Sequence, residues 1–144
     1  MDNFYLNKRL GHIPWYLGCF PRDALPVETE KKFVLVFNTD IASGEGIHWG
    51  VIYSSRPEVA YYFDSFGKRP RHKEILEFLS RFKTVYYSTS KSQNIDASTC
   101  GHYCIFVVLE LFNGQSFRSI VNFLKIISND DQFVMDYVNH QNLI

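Results

Sequence analysis

The residue with the most chemical potential is Cys100, at the point where a small polar run, Ser98-Thr99, meets a long apolar segment continuing through Ile105-Phe106-Val107-Val108-Leu109-Glu110-Leu111-Phe112. Ser98 or Thr99 is a suitable N-cap, so the sulfur is expected at the positive end of a buried helix, where thiolates are stabilised. A structural cysteine packed in a core fits the same residues when they are taken alone. Nucleophilic chemistry at a thiol also needs a base within hydrogen-bond reach, a group to orient the base, and donors for the developing oxyanion. Five histidines are available. His102 lies two residues beyond Cys100, about 200° around a helix, and cannot face the thiol. His140 is near the C-terminus, His72 lies in a solvated basic run, and His12 precedes the first strand signal with no obvious carboxylate partner. His48 is the best base.

His48 opens a strand pattern after the Gly-rich stretch Ile41-Ala42-Ser43-Gly44-Glu45-Gly46, and the next strand pattern closes on Asp64. An antiparallel pairing of the two would set the Asp64 carboxylate beside the imidazole. Each residue also has an ordinary reading, His48 as a half-buried histidine and Asp64 as the turn former before Ser65-Phe66-Gly67. Oxyanion donors are available from the Cys100 backbone amide and from Gln93, a glutamine that could equally be a solvated loop residue.

The elements that must hold these residues follow from hydrophobic periodicity. Residues 1–30 are the least regular part, with one short strand at 15–20. Strands are expected at 33–38, 47–54, 59–64 and 84–88, the second and third forming a hairpin through a turn at 55–58. Helices are expected at 71–82, with Ile75, Leu76, Leu79 and Phe82 as the apolar stripe, and at 100–112, 116–127 and 130–139. Asn113-Gly114 is the stop signal for the second of these. Residues 89–99 read as a polar loop. The resulting fold class is α+β, a central, mostly antiparallel sheet flanked by helices, in a single domain over 1–144.

Composition narrows the function classes. Of the 144 residues 46% are hydrophobic and 17% aromatic, which a disordered chain would not carry. Formal net charge is zero, so global electrostatics argue for neither nucleic acid nor membrane. A local basic cluster, Lys68, Arg69, Arg71 and Lys73, could bind a phosphate backbone, although a solvated helix start accounts for it as well. Three cysteines, Cys19, Cys100 and Cys104, are an odd number that suits a reducing compartment. Cys104 is one helical turn past Cys100 and reads as core packing; no metal site is completed. Without a signal peptide or membrane-spanning run, the chain reads as soluble, intracellular and monomeric.

Gly46-Ile47-His48-Trp49, Asp64-Ser65-Phe66-Gly67, and Gln93 seven positions before Cys100-Gly101-His102-Tyr103-Cys104 together resemble the adenovirus protease (adenain) family. More distantly they resemble the ubiquitin-like-protein-specific proteases, which share the order His, acidic residue, Gln, Cys. The segment Tyr16-Leu17-Gly18-Cys19-Phe20-Pro21-Arg22-Asp23 is loosely similar to that family's N-terminal cleft segment. The resemblance spans residue 16 to about 112, and the joint motif is more specific than any piece.

It implies Cys100 as nucleophile, His48 as base and acid, Asp64 as orienter, and Gln93 with the Cys100 amide as oxyanion hole. Trp49 and Gly18 would flank the substrate cleft. Adenoviral members carry Glu at the position of Asp64; Asp is typical of the ubiquitin-like-protein proteases. By the same resemblance the substrates would be viral capsid or core precursors cut next to glycine, with the enzyme acting in the infected cell and packaged in virions. The chain is shorter than the adenovirus enzyme, which suits virophage, Polinton-like or adintovirus-like elements. Its neutral charge argues against DNA activation; no cofactor is required by the sequence, and a peptide activator is left open. The alternatives are a deconjugating protease for ubiquitin-like proteins and a catalytically inactive binding module on the same scaffold.

Overall fold

The computed structural model describes residues 2–40, 48–88, 99–127 and 130–141. Its centre is a five-stranded sheet in the order β1-β2-β3-β4-β5, built from Tyr16–Pro21, Phe33–Asn38, Trp49–Arg56, Val59–Phe63 and Thr84–Tyr87. The antiparallel heart of the sheet, β2-β3-β4, follows the expectation. Both outer pairings, β1 with β2 and β4 with β5, are parallel, so the sheet is mixed. Parallel neighbours need a crossover. Residues 22–32 supply one, and helix α2 (Lys73–Leu79) lies in the other.

β2 explains the layering. All six of its residues are buried, and its side chains alternate between two cores. Phe33, Leu35 and Phe37 join Ile52, Ala60 and Tyr62 against Ile75, Phe78 and Leu79 of α2. Val34 and Val36 join Val51 and Phe63 on the opposite face. That second face is covered by α3 (Cys100–Phe112), which packs on β3 and is itself surrounded by α1 (Asn3–Leu10), α4 (Phe117–Ile126) and α5 (Asp130–Gln141).

Several local expectations need correction. The irregular N-terminal region contains α1, capped by the Asp2 side chain accepting from the Tyr5 amide, with Leu6 and Leu10 buried one turn apart. That cap and that spacing were its sequence signals. α2 is shorter than the 71–82 span, because Arg71 and His72 precede it and its chain leaves the helix at Ser80. Its buried residues are Ile75, Phe78 and Leu79, while Leu76 faces solvent. β3 begins at Trp49, so His48 stands just ahead of the strand.

α3 occupies 100–112 as expected and buries ten of its thirteen residues. Thr99 takes the cap position, in helical rather than extended backbone geometry and without a side-chain capping bond. The helix stops where Gly114 adopts a φ of 97°, a conformation that favours glycine.

Candidate active site

The site forms where the leading end of β3, the trailing end of β4 and the first residue of α3 meet. The β3–β4 register pairs Val51 with Phe63 and Ile52 with Tyr62, which brings His48 and Asp64 to the same end of the hairpin. Asp64 Oδ1 lies 2.5 Å from His48 Nε2. Asp64 is fixed from several sides. Its Oδ1 also accepts from the Phe66 amide at 3.0 Å, and its Oδ2 accepts from the Lys68 amide at 3.2 Å. Its own amide donates to Ser88 Oγ at 3.0 Å, and the Ser88 hydroxyl donates back to the Asp64 carbonyl at 3.2 Å. The Phe66 ring tilts against the imidazole with centroids 5.1 Å apart. Asp64 is therefore both the turn former and the partner of His48.

With Nε2 held by the carboxylate, Nδ1 is the nitrogen left for proton transfer. It is buried and has no hydrogen bond of ordinary length among the described residues. The Cys100 thiol is near enough to act on the ring: burial pulls the His48 pKa down, but hydrogen bonding and charge from Asp64 and Cys100 push it up to about 9. The Trp49 amide donates to Cys100 Sγ at 3.4 Å, tying strand to helix at the sulfur. Cys100 is 4% exposed, and the His48 and Asp64 side chains 15% and 8%. The arrangement can pass a thiol proton to an oriented imidazole that returns it to a leaving group.

The other cysteines are placed differently. Cys19 contacts the Tyr16 hydroxyl at 3.2 Å, and burial pushes its pKa up to about 11, despite the opposing hydrogen bond. Cys104 is buried in the core beside α3's neighbours and is held protonated by desolvation. The remaining histidines also lie elsewhere. His12 packs edge-on against Phe112 at the far end of α3, His72 contacts Arg22, and His140 is exposed on α5. His102 is half-buried, and its pKa is lowered by burial and by nearby positive charge.

Trp49 is half-buried against the α3 side of the core. Gly18 lies in β1 at the register irregularity beside Asn7, with a φ of 130°, and touches none of the three central side chains. Gln93 falls outside the described residues, as do Gly46 and Ile47. Two contributors were missed by sequence reasoning, Ser88 and the Trp49 amide. The signal for Ser88 was a polar residue closing the Thr84-Val85-Tyr86-Tyr87 strand.

No protein-family model matches the chain, and no curated protein matches it by sequence. Solved structures do match in fold. Two structures of the ASFV pS273R protease superpose with TM-scores of 0.68 and 0.56 at 17% and 21% identity, covering 92% and 74% of this chain. This chain spans 64% and 43% of those two protease chains. The central domain of the uncharacterized Lpg1148 protein from Legionella pneumophila matches over 99% of this chain and 97% of its own, with a TM-score of 0.57 at 14% identity. The chain thus has an α+β fold shared with a viral protease, with Cys100 at the start of a buried helix.

Proposed function

We propose that the chain is a cysteine endopeptidase. The observation that carries this reading is the convergence of His48, Asp64 and Cys100 at one end of the sheet, on a fold shared with the ASFV protease. Cys100 Sγ attacks the scissile carbonyl as the thiolate of a thiolate–imidazolium pair, the proton being held on the His48 ring. The tetrahedral oxyanion takes the Cys100 amide at the helix start and, on the family resemblance, the Gln93 side chain. His48 then gives its proton to the departing amine, leaving a thioester. Water, deprotonated by the same imidazole, hydrolyses the thioester and regenerates the thiol. Asp64 holds the ring so that Nδ1, not Nε2, meets the sulfur.

On the resemblance to the adenain family, the substrates are viral capsid or core precursors cut next to glycine during virion maturation. The test is incubation with the structural proteins encoded beside this chain, with cut sites read by mass spectrometry. Defined cuts that vanish in Cys100→Ala are expected. Cleavage persisting in that variant, or no cleavage of any polypeptide by the native protein, would overturn the reading. Alkylation of Cys100 by iodoacetamide at neutral pH is expected to slow markedly in His48→Ala.

A further inference from the structure

Against His48 lies a pocket of about 250 Å³ whose lining includes His48, Phe66, Lys68, Arg69, Arg71 and His72. Cys100 is not part of that lining. The pocket is built from the segment between β4 and α2, the same segment whose amides hold Asp64. Its charge is strongly one-sided. Asp64, its acidic member, is committed to His48 and the backbone. Arg22, on the neighbouring turn, is paired with Glu74 and His72.

Lys68, Arg69 and Arg71 are exposed and form no ion pair among the described residues. Two of them are nevertheless placed: Lys68 Nζ lies over the Phe66 ring at 5.7 Å, and the Arg69 guanidinium over the Tyr87 ring at 4.7 Å. Aromatic faces hold the cations near the pocket while leaving their hydrogen-bond donors unspent.

The direction of the substrate follows from the chemistry. An imidazole that protonates the departing amine must lie beside it, so the polypeptide after the scissile bond leaves past His48. We propose that this pocket receives an acidic side chain of the substrate, within the first few residues after the cut, on Lys68, Arg69 and Arg71. The proposal rests on the endopeptidase reading. Lys73, which continues the same basic run, is turned into α2 and faces Glu77 at 3.9 Å; it is outside the pocket.

The experiment is cleavage of a peptide mixture, prepared by digesting a whole proteome with a specific protease, with new termini identified by mass spectrometry. Asp and Glu are expected to be enriched about fivefold in the first four positions after the cut, the scale of one exposed ion pair. The enrichment is expected to shrink in high salt. It should vanish in the Lys68→Ala, Arg69→Ala, Arg71→Ala triple variant and persist in Lys73→Ala. Arg69→Glu is expected to shift the preference toward Lys and Arg, an outcome a damaged fold would not produce.

Cys100-dependent cuts without an acidic preference overturn the proposal alone. The absence of any Cys100-dependent cut overturns the endopeptidase reading and this proposal with it. Absence of acidic preference together with binding of a duplex oligonucleotide that the triple variant loses would assign the cluster to nucleic acid instead.

Discussion

At the scale of the residue, the site turns on one imidazole. Burial alone would leave His48 neutral, and the carboxylate and thiol around it reverse that, to a pKa of about 9 against an ordinary 6.5. A proton-detected NMR titration is expected to place its midpoint near that value. In Asp64→Asn the midpoint should fall well below 9, because the carboxylate's charge is gone while burial and the Cys100 contribution remain. The sign for stability follows from the raised pKa. The contribution is complete below pH 6.5, fades as pH rises, and is lost above about 9.

Across that window it amounts to roughly 3 kcal/mol at most. Chemical denaturation of native protein at pH 6 and pH 9.5 should show a loss that is much smaller in Asp64→Asn. His48 and Cys100 were legible in the sequence because residue type and helix position limit what each can do. Ser88 was not, since a hydroxyl that anchors another residue's backbone has no spacing rule. It declares itself only when β5 is laid beside β4.

At the scale of the element, the β2–β3–β4 hairpin series is the positioning device, and Gly50 is its tightest point. Gly50 pairs with Phe37 across the β2–β3 ladder. A methyl group there would run into the Phe37 ring and come within 2.8 Å of the Phe63 carbonyl oxygen, a backbone atom with no rotamer to yield. Gly50→Ala is expected to cost about 1–3 kcal/mol in urea unfolding. It should also lower turnover beyond what lost stability explains, because the shift falls between His48 and Asp64. The hairpin was readable from two apolar runs and a short turn, and its register then followed from alternation. The parallel edges were not readable. Tyr16–Pro21 and Thr84–Tyr87 look alike as short strands, and which neighbour they join, in which direction, depends on crossovers whose path no local pattern encodes.

At the scale of the molecule, α3 is the piece through which everything else communicates. It carries Cys100 at one end, lies across β3, and takes α1, α4 and α5 against its remaining faces. The α5 contact includes the Tyr103 hydroxyl donating to Asp131 and the Tyr137 hydroxyl donating to Glu110. The α1 contact buries Leu6 and Leu10 completely, and Arg9 reaches the Val138 carbonyl of α5. Leu6→Ala is expected to destabilise by about 2–5 kcal/mol in denaturant unfolding, the range for truncating a buried leucine. α1 was hidden from sequence reading because its moderate apolar content is surrounded by Pro and Gly punctuation. Its helix depends on packing against α3 more than on its own propensity.

The position of α3 in chain order carries a consequence for synthesis. Every strand of the sheet precedes it, so a chain emerging from the ribosome completes residues 16–88 before the helix that covers one of its two faces exists. Until residue 112 is made, Val34, Val36, Val51 and Phe63 have no α3 to lie against, and such uncovered surfaces attract chaperones and aggregation. The sulfur arrives on the element that covers this face of the sheet, and α4 and α5 follow to cover that element. The same late event that covers the nascent sheet also brings Cys100 to His48 and Asp64, so the candidate site does not exist until α3 is made.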